Sequence, residues 1–164
     1  MTGKLAEISQ ELNRQSVFSH MPSLIFLTDQ KAQPFPERII ENMPIGSAVI
    51  LRDYDAYNRY ELAVALRYIC KSRQIKFLVA KDLDLALSIE ADGIHLPEFA
   101  IKDALEIRKE CPNYIITGSA HTEKAIQRGI EYGINGILFS PVFPTKSHPE
   151  TFNDPKLTLG TDRL

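Results

Sequence analysis

Residues 77–96, FLVAKDLDLALSIEADGIHL, hold two apolar runs separated by a segment with helical spacing. The runs at 77–80 and 94–96 are continuously apolar rather than alternating, which is typical of strands buried on both faces of a parallel sheet. The segment at 83–90 predicts a helix that returns the chain to the start of the second strand. The stretch therefore predicts a right-handed βαβ unit.

The same alternation extends in both directions from this stretch. Further strands are predicted at 24–28, 47–51, 114–117 and 136–140. Further helices are predicted from 38–42, 57–72, 101–110 and 122–132. Leu5, Ile8 and Leu12 stand at helical spacing and predict an additional amphipathic helix at 4–16. The proline-containing stretch 144–164 is predicted to be loop, and the 164 residues are expected to form one domain, 1–164.

Two junctions echo each other, at residues 91–94 (ADGI) and 134–137 (INGI). Each places a glycine, Gly93 or Gly136, where a helix should end and a buried strand begin. A glycine at such a point is typical of a helix stop, since it adopts the left-handed conformation without steric cost.

Composition excludes several functional classes. The net charge of -2 gives no basic excess for nucleic acid or an anionic membrane. No apolar run approaches the ~18 residues of a membrane span, and the first residues lack a secretory pattern. Cys70 and Cys111 are interpreted as buried, reduced thiols. We expect a cytoplasmic protein.

Alternating βα units fit two architectures, an open doubly wound sheet and a closed barrel. The first strand is followed by residues 27–30 (LTDQ) rather than by a Gly-rich turn, so the dinucleotide-binding fingerprint is absent. A complete barrel needs eight strands, and this chain has six. The residue pattern alone leaves both architectures open.

Candidate functional residues stand at the carboxyl ends of the strands, where parallel βα folds place their sites. They are rich in hydrogen-bond donors suited to a phosphate or carboxylate ligand: Arg52, Lys81, Ser119, Thr145, Lys146 and Ser147. Each has a structural alternative. Arg52 can pair with Asp53 or Asp55, Lys146 can be a solvated loop charge, and His121 is either a general base or part of a helix-capping sequence. His95 is interpreted as a packed histidine.

Several short motifs, in order and at consistent spacing, resemble thiamine-phosphate synthase and its sister TenI, the thiazole tautomerase. The most specific are ADGIHL at 91–96 and SPVFPT at 140–145, and the likeness runs from about 24 to 160. The others are FLTD at 26–29, VILR at 49–52, DLAL at 84–87 and GSAH at 118–121. The resemblance implies an α/β fold of the TIM-type (β/α) barrel, here incomplete, with six βα units and the last two missing.

The resemblance also implies roles for individual residues. The family synthase joins a pyrimidine pyrophosphate to a thiazole phosphate with the help of Mg²⁺. Arg52 and Ser119 match its pyrophosphate-binding positions, and Thr145 and Ser147 match a hydroxyl pair in the loop after the sixth strand. His121 matches the histidine that the tautomerase uses for proton transfer.

Four positions depart from the family pattern. Tyr54 and His148 stand where the family has lysines, and Lys81 and Ala100 stand where it has the carboxylates that hold Mg²⁺. We therefore expect no metal cofactor. The Gly-rich turns of the seventh and eighth units, which hold the thiazole phosphate, are also absent from the 164 residues.

These features predict a thiamine-phosphate synthase-like protein of thiamine biosynthesis that binds a phosphorylated thiazole or pyrimidine. Efficient Mg²⁺-dependent synthesis by this chain alone is not expected. Two alternatives are a TenI-like tautomerase that uses His121 and a family member that binds a ligand or partner without catalysis. We also expect a homodimer, because the strands at 24–28 and 136–140 would otherwise present bare edges. Coverage of those edges by the N-terminal helix or the tail is the alternative.

Overall fold

A computed structural model describes residues 2–15, 21–145, 149–154 and 158. Six strands alternate with helices: β1 (Ile25–Leu27), β2 (Ala48–Leu51), β3 (Lys76–Ala80), β4 (Gly93–Leu96), β5 (Ile115–Ala120) and β6 (Gly136–Phe139). The α-helices are α1 (Thr2–Gln15), α2 (Pro36–Ile40), α3 (Arg59–Ser72), α4 (Leu83–Ser88), α5 (Ala104–Glu110) and α6 (Glu123–Glu131). Two 3-10 helices span Glu98–Asp103 and Pro149–Phe152.

The strand order in the sheet is the order of the strands in the chain. Every strand pairing whose register is described is parallel. This confirms the six predicted strands and the α/β class, because successive parallel strands require a crossover helix between them.

The chain divides into two compact units, which we describe separately. Unit 1 is Met1–His95 with Asn113–Ile115, and unit 2 is Leu96–Pro112 with Ile116–Leu164. In unit 1, Val49 and Phe77 belong to a buried cluster packed with residues of α3 and α4. Ile50 and Leu78, which alternate with them along β2 and β3, are equally buried. Both faces of these strands are therefore covered, which explains the continuous apolar runs.

A side-chain brace closes the junction before β4. One carboxylate oxygen of Asp92 accepts hydrogen bonds from the backbone N–H of Phe77 (2.9 Å) and from Arg67 on α3 (2.7 Å). Its other oxygen pairs with Lys76 at 3.0 Å. Backbone N–H of Asp92 in turn donates to the carbonyl of Phe77 at 2.8 Å.

The junction before β6, in unit 2, repeats this brace. The side-chain oxygen of Asn135 accepts hydrogen bonds from the backbone N–H of Ile116 (2.9 Å) and from Arg108 on α5 (2.6 Å). Its backbone N–H donates to the carbonyl of Ile116 at 2.8 Å. The two echoing sequences thus build the same arrangement, in which an arginine of one helix, a strand N–H and an Asp or Asn side chain meet.

The predicted role of the glycines at these junctions was wrong. Gly93 and Gly136 are the first residues of β4 and β6. The left-handed position that ends the preceding helix is taken by Glu90 (φ 53°) in one case and by Gly133 (φ 71°) in the other. Gly93 is required for space instead, because a Cβ there would lie 2.0 Å from the carbonyl oxygen of Ile115.

The N-terminal helix forms as predicted but contacts the rest of unit 1 through its polar side. Ser9 is buried and its hydroxyl lies 2.9 Å from that of Ser23, while Asn13 accepts a hydrogen bond from the backbone N–H of Ser23. Leu5, Ile8 and Leu12 stay about half exposed, at 52%, 47% and 50%.

Several element boundaries differ from the sequence prediction, most of them by one or two residues, and three differences are larger or affect a candidate residue. β5 continues to Ala120, so Ser119 lies within the strand rather than after it. The helix predicted at 101–110 starts as the 3-10 helix Glu98–Asp103, and the predicted loop after 144 contains the 3-10 helix Pro149–Phe152. Within the part of the chain described, no helix has the length and apolar character needed to cross a membrane.

Candidate functional site

Unit 1 carries a cleft of about 270 Å³ at the carboxyl ends of β1 and β2. Arg52, the first residue after β2, pairs there with Asp29 at 2.9 Å, and its backbone N–H donates to the hydroxyl of Thr28 at 3.0 Å. The structural alternative considered from sequence, a pairing of Arg52 with Asp53 or Asp55, was wrong. Asp53 instead accepts the backbone N–H of Gln30 at 2.7 Å. Arg52 is thus held at the wall of a cleft, with 39% of its side chain exposed.

A second arginine near this cleft, Arg59, was not among the residues predicted from sequence. It donates to the carbonyl of Ala80 (2.8 Å) and to the carboxylate of Asp82 (2.9 Å), and its guanidinium lies 5.8 Å from the ring centroid of Tyr54. A signal was available, since an arginine in the first turn of α3 opposes the helix dipole and therefore needs another partner. Arg59 brings a positive charge close to the tyrosine that stands in place of a family lysine.

The phenol of Tyr54 stays protonated at neutral pH. Burial raises its pKa above the usual value of 10, and the positive charges of Arg52 and Arg59 only partly offset this. Tyr54 is therefore neutral and cannot replace the charge of a lysine.

His95 is buried within β4, with 2% of its surface exposed. Burial, with a smaller contribution from the positive charge of Arg52, lowers its pKa to about 4. The imidazole is therefore neutral at physiological pH, in agreement with its interpretation as a packed histidine.

Unit 2 carries a larger cavity, of about 640 Å³, at the end of β5. It brings together two residues predicted from sequence, Ser119 and His121, with others that were not predicted. The residues that line it include Glu98, Phe99, Lys102, Arg128 and Tyr132.

The ring of His121 is oriented by the backbone that follows β6. Its Nδ1 lies 2.8 Å from the carbonyl oxygen of Ser140. Because a carbonyl only accepts hydrogen bonds, Nδ1 carries the proton, and in the neutral ring Nε2 is then the basic nitrogen. The capping role considered for this segment belongs to Thr122, whose hydroxyl accepts the N–H of Ala125 at the start of α6.

Glu98 holds the other side of the same loop. One carboxylate oxygen accepts the backbone N–H of His121 at 2.8 Å, and the other accepts a hydrogen bond from Arg128 on α6 at 3.3 Å. Residue type and spacing do not indicate this contact, because Glu98 and His121 follow different strands.

The remaining predicted hydroxyls are not brought to this cavity by any described contact. The backbone N–H of Thr145 donates to the hydroxyl of Thr151, which is buried. Ser147, like its neighbours Lys146 and His148, lies outside the described residues.

With this geometry in view, comparison with known proteins identifies the family. Residues 24–161 match the family described as thiamine monophosphate synthase. The chain belongs to this family. A curated relative in Aquifex aeolicus (strain VF5) that carries a thiamine-phosphate synthase name is 33% identical over 135 residues. The aligned region covers 79% of this chain and 72% of that protein.

Other thiamine-phosphate synthases are matched over a smaller part of their length. The protein from Geobacillus thermodenitrificans (strain NG80-2) is 34% identical over 102 residues, which cover 62% of this chain and 44% of that protein. A solved structure, of thiamine phosphate pyrophosphorylase from Pyrococcus furiosus, superposes with a TM-score of 0.66 at 23% identity and covers 79% of this chain and 65% of that one. The likeness confirms the predicted TIM-type fold.

The resemblance implies Mg²⁺-binding carboxylates at two positions, one in each unit, and neither position has a carboxylate in this chain. Lys81 is a cation with a left-handed backbone (φ 67°), and Ala100 has no ligand atom in its side chain. The neighbouring carboxylates are engaged, since Asp82 accepts hydrogen bonds from Arg59 and from the N–H of Leu85, and Glu98 holds His121 and Arg128. No group of three potential metal-binding side chains occurs among the residues described.

Proposed function

We propose that this chain acts in thiamine biosynthesis by binding a phosphorylated thiazole in the cavity of unit 2, where His121 transfers a proton on that ligand. One observation supports the proposal above the others, the 2.8 Å contact between Nδ1 of His121 and the carbonyl of Ser140. It presents the Nε2 nitrogen as a base without any metal. The family match supplies the pathway, and the departures at Lys81 and Ala100 favour proton transfer over the joining reaction.

The chemistry requires only groups that this chain has. Nε2 of His121 takes a proton from one carbon of the bound thiazole and returns it to another carbon. The net charge of the ligand is therefore unchanged, and no oxidant is needed. While the side chain of His121 is an imidazolium, its Nδ1–H still donates to the Ser140 carbonyl, whose dipole stabilises the added positive charge. Lys102 lines the same cavity and provides a cation suited to the phosphate of the ligand.

Exchange of ligand protons for deuterium from the solvent gives a direct test of proton transfer by His121. Purified protein is incubated with the thiazole phosphate in D₂O, and deuterium incorporation at the ring carbons is followed by NMR. We expect incorporation by the wild type and a loss of at least ~100-fold in His121→Asn, since a positioned acid–base group contributes about that much or more. Glu106→Gln is a matched control, because Glu106 is exposed on α5 and pairs only with Lys109 among the described contacts.

Two results would contradict the proposal. Undiminished incorporation in His121→Asn would remove the histidine from the reaction. No incorporation by the wild type, with binding of the thiazole phosphate demonstrated by calorimetry, would favour the family member that binds without catalysis.

The joining reaction is the second candidate, because Arg52 stands at a strand-end cleft as expected for a pyrophosphate-binding residue. We expect little thiamine phosphate from the pyrimidine pyrophosphate and thiazole phosphate, with or without Mg²⁺. We also expect no Mg²⁺ binding by calorimetry, since Lys81 repels a cation by a few kcal/mol at short range. Robust Mg²⁺-dependent product, or Mg²⁺ binding that disappears in Asp82→Ala, would favour synthesis.

A homodimer and a cytoplasmic location remain part of this proposal. A monomer mass by light scattering would contradict the dimer.

A further inference from the structure

We propose that Glu98 is the positioning residue for His121. The loop that in the family supplies a metal carboxylate supports the catalytic histidine here. This inference rests on the proposed function for its catalytic consequence, but its structural part can be tested without any enzyme assay.

The 3-10 helix Glu98–Asp103 carries no metal-binding pattern of the family kind. Ala100 is 6% exposed and buries its methyl group, and Phe99 points its ring to solvent with 73% of its surface exposed. Glu98 is the acidic side chain that this turn directs to the start of the loop after β5. There it accepts the backbone N–H of His121 at 2.8 Å.

His121 is consequently held at two points. Glu98 holds its backbone, and the carbonyl of Ser140 holds its ring. The backbone contact fixes the position of the His121 main chain from which the ring extends. The ring contact fixes which ring nitrogen is basic. Removal of the first contact frees the loop to move the ring away from Ser140, and misplacement of a reacting group by about 1 Å costs on the order of 100-fold in rate.

Arg128 keeps the carboxylate in place. Its guanidinium lies 3.3 Å from the second oxygen of Glu98, and 43% of the arginine side chain is exposed against 25% for the glutamate. This partly exposed pair contributes little stability by itself. Its effect is to orient Glu98, so that one oxygen faces His121 while the other faces α6.

The structural test is the hydrogen exchange of the His121 amide, measured by NMR. The intrinsic exchange rate of an amide depends on its immediate neighbours in the chain, so replacement of Glu98 leaves that rate unchanged and faster exchange reports a loss of protection at His121. We expect exchange at least about tenfold faster in Glu98→Ala. In Glu98→Gln, whose side-chain oxygen can still accept the bond, we expect a rate within about threefold of the wild type. Glu106→Ala, in the same unit, should leave the rate unchanged.

The catalytic test is the deuterium incorporation assay on the same variants. Glu98→Ala should lower kcat by about tenfold or more with KM changed less than about twofold, and Glu98→Gln should restore most of kcat. If Glu98→Ala does not fold, Glu98→Ser replaces it in both measurements.

The outcomes separate the two proposals. An unchanged His121 amide rate in Glu98→Ala overturns the role of Glu98, whatever the activity. A faster rate that Gln reverses supports it, and a wild type inactive in the assay then overturns only the proposed function. A fall in kcat that Gln does not restore, with a normal amide rate, also overturns the positioning role.

Discussion

His95 links the stability of unit 1 to pH. Its pKa is about 4 in the folded chain against 6.5 for the ordinary value. Between these values the unfolded chain binds a proton that the folded chain does not, so the free energy of unfolding falls as the pH is lowered through this window. The total loss is up to about 3 kcal/mol, and above pH ~6.5 the residue contributes no pH dependence.

The prediction for His95 concerns the pH dependence of the free energy of unfolding rather than its absolute value. Between pH 7 and pH 5, wild type should lose about 2 kcal/mol more than His95→Gln, whose side chain does not titrate. Urea unfolding of the wild type and of His95→Gln at pH 7 and pH 5 gives the change in the free energy of unfolding of each protein. Equal pH dependence in the two proteins would mean that His95 does not control it.

Single residues also show where sequence reasoning was limited. Arg52, Ser119 and His121 were recognised as candidates because chain order alone places them at or near strand ends. The partners of Arg52 and His121 were not, because Asp29 and Glu98 reach them across 23 residues of sequence each. Contacts of this kind depend on the path of two loops, and residue type and spacing do not determine such a path.

The braces before β4 and β6 stabilise the strands and helices that they join. Asp92 and Arg67 are both mostly buried, at 18% and 16% of the side chain exposed. Asp92→Ala leaves the arginine and the N–H of Phe77 without an acceptor, and loss of one partner of a buried pair typically costs about 3–5 kcal/mol. We expect a clear fall in the midpoint of thermal unfolding.

The chain itself provides the control for this experiment. Asn135 serves the second brace with a neutral amide, so Asp92→Asn should retain most of the hydrogen bonds and lose only the charge. Its destabilisation should be less than half that of Asp92→Ala. Equal losses in the two variants would show that charge, not hydrogen bonding, dominates the brace.

At the scale of elements, the apolar runs predicted the strands well because both faces of β2 and β3 are buried. The helix ends were less predictable. Glu90 takes the left-handed position after α4, although a residue with a Cβ rarely does so, and the nearby Gly93 was interpreted in its place. The sequence cannot distinguish a glycine that turns the chain from one that makes room for a neighbouring carbonyl.

The whole molecule consists of two compact units, each with its own brace. Because all partners of Asp92 lie in unit 1, its loss should affect local opening there first. In Asp92→Ala we expect faster amide exchange in β2 and β3 than in β5 and β6, and in Asn135→Ala the reverse. Mass spectrometry of exchanged peptides gives the comparison, and uniform acceleration in both variants would contradict it.

The whole fold was more accessible from sequence than the site. Repetition of one simple unit averages over local errors, so six strands could be recognised although several boundaries were misplaced. The site offers no such redundancy, since it depends on single contacts such as that between Glu98 and His121.

The repeated brace has a meaning for ancestry. An arginine, a strand amide and an acidic or amide side chain recur in the same relation in two successive pairs of strands, a coincidence that duplication of one ancestral two-strand segment would explain. The exchange of Asp for Asn between the copies is then a trace of divergence after that duplication. Gene fragments recombined between relatives at these junctions would each carry a complete brace, so such crossovers should be tolerated better than crossovers within a strand.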